Sequence, residues 1–178
     1  MSKIKKIVLA ALLLGILIVL SRFLSIKTPI IRISFGYVPI MLSAIWLGPK
    51  WSTLIAGLGD LIGALLFPSG TFFPGYTLSS VLSGFIYGII LYKKEGKEYS
   101  NKQFVIRLII SVLLVVVFVN GLLNTLWVYI TSSSAASVIV PIRVVKQLVM
   151  FPIQVITIFI LEKALRKPFD KYIRSGND

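Results

Sequence analysis

The chain has 178 residues, 57% hydrophobic and 14% charged, with a formal net charge of +13 and a mean hydropathy of +0.94. A soluble domain carries about a quarter charged residues, so the apolar excess calls for lipid rather than a larger core. Histidine and cysteine are absent, which removes imidazole bases, thiolate nucleophiles, disulfides and the usual zinc ligands.

In chain order, apolar segments run over about 7–26, 35–47, 51–66, 77–92, 104–131 and 136–164. A spanning helix needs about 20 apolar residues, which the first, fifth and sixth segments supply easily. The third and fourth are near the lower limit. The second is short and contains Pro39, so a re-entrant segment stands beside a full span. The expected fold is all-α: a polytopic membrane protein of six transmembrane helices, forming a single integral membrane domain over 1–178. Lys3, Lys5 and Lys6 precede the first segment as in a signal peptide, but Ser21, Arg22 and Phe23 follow it in place of a small-residue cleavage site. The segment is therefore read as a retained helix. Residues 93–103 form the one clear linker.

Charge supplies a test of six spans. With both termini cytoplasmic, the inner segments hold Lys3, Lys5, Lys6, Lys50, Lys93, Lys94, Lys97, Lys102, Arg107, Lys163, Arg166, Lys167, Lys171 and Arg174, most of the 19 basic residues. Basic enrichment of short loops marks the cytoplasmic face. Removing one span would put the basic 93–102 loop and the basic C-terminus on opposite sides. Topology thus accounts for the net charge without any nucleic-acid partner.

Five basic residues remain: Arg22, Lys27, Arg32, Arg143 and Lys146. Arg143 and Lys146 lie three apart on one helical face. Counted from residue 136, they sit about 10–15 Å inside the outer boundary at ~1.5 Å per residue. One basic residue at a span centre costs about 2.5–3.5 kcal/mol on insertion scales, so two on one turn need an anion, a wet cavity, a reach to the outer headgroups, or Asp60. That aspartate stands in the small-residue run GLGDLIG (57–63). It is either a ligand contact or half of a helix-packing ion pair. One carboxylate cannot neutralise every cation near it, and the surplus points to an anionic ligand on the outer side.

Asn120, Asn124 and Trp127 form a stripe on the fifth helix, and Gln147 and Gln154 extend the polar face of the sixth. Asn120 and Gln154 read as interhelical hydrogen-bonding amides, a frequent role in bilayers. Asn124 and Trp127 lie level with Arg143 and Lys146, where Trp127 is either an interfacial anchor or a stacking surface. The outer loop FPSGTFFPGYT (67–77) packs four aromatic rings between turn-forming Pro and Gly residues, which favours an ordered lid over a passive connector. An outer-half site with excess positive charge and nearby rings suits an aromatic ligand bearing carboxylates. No P-loop is present: Gly96-Lys97 lacks the upstream glycine and the following Ser or Thr. A lipid-modifying enzyme built on Asp60 would have a thin catalytic set. A purely structural subunit would leave the outer polar residues without a ligand.

The runs SRFLSIKTPIIRISFGYVPI (21–40), GDLIGALLFPSGTFFPGYTLSS (59–80), LNTLW (123–127) and PIRVVKQLVMFPIQ (141–154) resemble the folate-specific substrate-binding (S) component of energy-coupling factor (ECF) vitamin transporters. The resemblance covers nearly the whole chain, and the second run is its most specific part. Ala11 to Gly15 is similar to the family's small-xxx-small motif for docking the transmembrane coupling subunit, with Gly15 where the family has alanine. The resemblance implies a six-helix protein that captures folate outside and delivers it inward with a coupling subunit and two ATPase subunits, needing no cofactor or metal of its own. It also implies site residues: Arg22, Arg143 and Lys146, with Gln147 beside them, for polar groups of the ligand; Phe67, Ser69, Phe72 and Pro74 for the lid; Asn124 and Trp127 for the rings. Asp60 is assigned either to the pterin amino group or to bracing the site. Another vitamin of similar chemistry is the alternative.

Overall fold

A computed structural model describes residues 1–27, 32–68, 72–93, 100–131 and 136–169. Six helices account for nearly all of them: α1 Lys3–Phe23, α2 Tyr37–Leu47, α3 Pro49–Leu66, α4 Pro74–Leu91, α5 Asn101–Thr131 and α6 Ala136–Phe169. By length and composition, four stretches qualify as membrane spans: α1, α4, α5 and Val138–Phe169 of α6. At 1.5 Å per residue, α2 is only ~16 Å long against a hydrocarbon core of ~30 Å, too short to cross alone. Pro39 falls in its first turn, where no intrahelical donor is lost.

Helix α1 starts at Lys3, earlier than the apolar run suggests, because the Ser2 side chain accepts a hydrogen bond from the Lys5 amide (3.3 Å) and caps it. It also ends earlier. Its last stretch, Val19–Phe23, widens to a π-helical turn, and Ser25 Oγ closes on the Ser21 carbonyl at 2.9 Å. Two short antiparallel strands follow, β1 Ser25–Lys27 and β2 Arg32–Ser34, paired Ser25–Ser34, Ile26–Ile33 and Lys27–Arg32. The helix therefore stops short of the end of the apolar run at residue 26.

Gly48, at φ 89°, separates α2 from α3, a backbone region that glycine occupies without a steric penalty. Helix α3 packs tightly on α4, where Ser52 Oγ donates to the Gly84 carbonyl at 2.7 Å. Helix α5 opens with a capping box between Ser100 and Gln103 and becomes π-helical over Val115–Leu123. Met41, Tyr87, Leu108, Val112 and Ile158 centre a core that joins α2, α4, α5 and α6. Leu9, Leu13 and Leu17 anchor α1 on Leu42 and Ile55. Outward apolar residues, such as Val8 and Leu12 on α1 and Val145 and Leu148 on α6, remain exposed, as a lipid-facing surface requires.

The helix directions gather basic residues at one end of the bundle. Trp46 stacks on Phe169 there (4.5 Å, 11° between planes), and Lys93 pairs with Glu162 at 2.8 Å while lying 4.8 Å over the Phe104 ring. The hairpin, the start of α4 and the end of α5 lie at the opposite end, with the polar residues singled out above.

Candidate functional site

Three linked groups of side chains occupy that opposite end. In the first, Arg22 at the end of α1 reaches across to α3. Its Nη2 donates to the Asp60 carbonyl at 3.1 Å and approaches Asp60 Oδ1 at 3.4 Å. Thr77 Oγ1 on α4 donates to the other carboxylate oxygen at 2.8 Å. One carboxylate thus ties three helices together. Gly63 makes this possible, since a Cβ there would lie 2.5 Å from Arg22 Nε. Asp60 thus forms a helix-packing ion pair, and its partner is Arg22.

The second group is aromatic. Trp127 on α5 turns inward: Nε1 donates to Ser79 Oγ on α4 at 3.0 Å, and the indole lies 5.4 Å from the Phe73 ring. Phe73 also meets Tyr76 at 6.0 Å, and the Tyr76 hydroxyl shares a 3.2 Å hydrogen bond with Thr131 Oγ1. Gly75 leaves room for the indole, because a Cβ would come within 2.7 Å of it. An interfacial anchor would point its N–H to headgroups, and this one does not. Phe67 packs edge-on against Phe23 at 5.0 Å. Phe67 and Phe72 are each 41% exposed, so both rings remain open to lipid or a ligand. Pro74 is the first residue of α4, so the loop is shorter than the sequence suggested: a proline's preset φ and missing N–H suit a first helical position. Ser69 lies outside the described residues.

The third group joins α5 to α6. Arg143 is 7% exposed and points into the bundle, where Nε donates to Thr125 Oγ1 at 3.0 Å and Nη2 to the Asn120 carbonyl at 3.2 Å. The π-helical stretch supplies that carbonyl. The Asn124 amide bonds Val119 O, five residues back, instead of the α-helical partner Asn120 O, which is left facing α6. Asn124 Nδ2 donates to Asn120 Oδ1 at 3.0 Å. Gln147 is buried one turn beyond Arg143, and Lys146 is half-buried beside it. Among the described residues, Gln147 Nε2 and Asn124 Oδ1 are buried polar atoms without a hydrogen-bond partner. Such atoms cost roughly 1–3 kcal/mol each if nothing meets them, and they are common where a ligand does. Among the described residues the two carboxylates are Asp60 and Glu162, each held by another cation.

The sequence reading did not single out Thr77, Ser79 or Thr125. Each is a hydroxyl on an apolar helix with no signal until its partner on the next helix is known. Asn120, read as a packing amide, proves to be the hub of the third group. On α1, Ala11 and Gly15 are both exposed one turn apart, and nothing stands within 4 Å of a Cβ built at Gly15. The small-residue stripe therefore faces outward. Among the described residues no cluster of metal-ligating side chains occurs.

A profile of the family described as ECF transporter, substrate-specific component, matches residues 5–162. The chain belongs to that family. Two curated relatives of this S component are the folate transporter FolT of Clostridium novyi (strain NT), 38% identical over 159 residues (89% of this chain and 88% of that protein), and FolT of Leuconostoc mesenteroides subsp. mesenteroides, 37% identical over 164 residues (88% and 84%). Among solved structures, FolT bound with folic acid superposes with a TM-score of 0.80 at 34% identity, covering 90% of this chain and 93% of that one. The S component is thus a multi-pass membrane protein whose relatives are transporter components and not enzymes.

Proposed function

We propose that this S component captures folate in the space bordered by its three polar and aromatic groups. One observation carries the reading. The fold shared with folic-acid-bound FolT extends over nine-tenths of the chain, and within it lie an inward-turned guanidinium, a ring cluster and two orphaned amide atoms. Folate combines a flat pterin, a second ring and a glutamyl group with two carboxylates. Arg143 and Lys146 attract the carboxylates, Trp127 and Phe73 offer ring faces, and Asn124 and Gln147 meet polar edges. Phe67 and Phe72, leading into Pro74, cover the site. Arg22 and Asp60 hold each other and brace it.

The basic end of the bundle faces the cytoplasm by the charge rule, which turns the site outward and puts both termini inside. The chain is one integral membrane domain. It carries no P-loop, so ATP hydrolysis falls to partner subunits: an ECF transmembrane coupling subunit with two ATPases. Ala11 and Gly15, exposed on α1, are the proposed docking stripe, since small residues let a partner helix approach closely.

Equilibrium binding of radiolabelled folic acid to purified protein in detergent tests the reading. Wild type is expected to bind it. Arg143→Ala should weaken binding by on the order of ten- to a hundredfold, the weight of a charge-assisted hydrogen bond and its desolvation. Tight binding of riboflavin or thiamine with no binding of folate would overturn the assignment.

A further inference from the structure

The side-chain amide of Asn124 has two ends of opposite chemistry, and only one of them is engaged by a neighbour. Its Nδ2 is engaged by Asn120 Oδ1 at 3.0 Å, which leaves Oδ1 as the buried end without a partner among the described residues. Asn120 is itself held: its carbonyl accepts from Arg143 Nη2 (3.2 Å) and Thr125 Oγ1 (3.3 Å), in a turn whose π-helical register frees that oxygen. π-Helical turns interrupting α-helices occur often at functional sites. Trp127 follows Asn124 by one turn on the same helix and carries the ring cluster. The buried, unpartnered amide oxygen therefore lies one turn from the indole that carries the ring cluster.

We infer that Asn120 is a positioning residue that sets ligand specificity by locking the Asn124 amide with its oxygen toward the site, so that the site accepts a ring N–H. The inference rests on the folate reading and deepens it. The ring N–H is N3–H of the pterin, which sits beside the 4-oxo group. Replacing the 4-oxo by a 4-amino group removes the N3 hydrogen and sets a lone pair against the amide oxygen. A site built around one hydrogen-bond polarity rejects the opposite one strongly, because a buried group is left unpaired. Without Asn120 Oδ1 the Asn124 amide is free to turn over and present its NH2 instead.

The test compares folic acid with 4-amino-4-deoxyfolic acid in equilibrium binding to the purified full chain, with thermal unfolding as the check on folding. Wild type should prefer folic acid by on the order of ten- to a hundredfold. Asn120→Ala leaves the carbonyl for Arg143 in place and should collapse the preference to within about threefold of unity. Asn120→Asp, an acceptor for the same Nδ2, should retain it. If the alanine variant does not fold, Asn120→Ser, too short to reach Asn124, makes the same comparison. A wild-type preference near unity, or a variant that weakens both ligands equally, overturns the inference and leaves the folate reading standing. Failure of wild type to bind either ligand overturns both.

Discussion

Replacing Asp60 by Asn tests whether the Arg22–Asp60–Thr77 arrangement braces the outer end of the bundle. The Arg22 side chain is 6% exposed and that of Asp60 is 19% exposed, so the substitution takes the carboxylate from a buried guanidinium. Removing one member of a buried pair costs about 3–5 kcal/mol. The 3.4 Å separation is longer than the ~2.7–2.9 Å of a strong charge-assisted bond, which favours the lower end, about 3 kcal/mol. Asn keeps an acceptor for Thr77, so that hydrogen bond survives. At ~2–4 °C per kcal/mol for a chain of this size, the melting temperature in detergent should fall by roughly 6–12 °C. The double variant Arg22→Met with Asp60→Asn removes both charges and should recover to within about 1 kcal/mol of wild type, because apolar replacement of a buried pair is often close to neutral. Thermal unfolding followed by tryptophan fluorescence reads all three proteins, and the cycle yields the coupling energy. If Asp60→Asn melts within about 2 °C of wild type, or the double variant is no better than the single, the brace is refuted. A loss of folate affinity with unchanged melting would instead place Asp60 against the ligand.

Two further substitutions separate ring contact from docking. Trp127→Phe keeps a ring but loses the Nε1–H bond to Ser79; with a hydrogen bond worth about 0.5–1.5 kcal/mol, folate binding should weaken by roughly three- to tenfold in a titration. An unchanged affinity would remove the indole from the site. Gly15→Leu fills the open face of α1 without touching the polar groups, so purified protein should bind folate as wild type does. Uptake by cells co-expressing the coupling and ATPase subunits should drop at least tenfold, following loss of close helix approach; wild-type uptake would exclude this stripe from docking.

Several residues of the candidate site stand out before any helix is placed against another. Arg143, Lys146 and Asp60 stand out because charge inside apolar sequence is expensive, and such residues persist where something balances them. The stripe of Asn120, Asn124 and Trp127 follows from helical periodicity alone. Their partners were not legible. Arg22 meets Asp60 across 38 residues of chain, and Trp127 meets Ser79 across 48. Those meetings depend on how α1, α3, α4 and α5 slide and rotate against each other. The direction of Trp127, left open between anchor and stacking surface, was decided by the room above Gly75. Neither the hairpin after α1 nor the π-helical stretch of α5 has a sequence signature: Val115–Leu123 is as apolar as any continuous helix.

Composition and periodicity were sufficient for the membrane environment, the helical class and the segregation of basic residues, since each depends on one residue at a time meeting lipid or water. Which charges neutralise each other, which amide atoms are left over, and which way the indole faces depend on pairs of residues brought together from different helices. Only the packed bundle decides those, because a hydrogen bond needs both of its ends in place within about 3 Å.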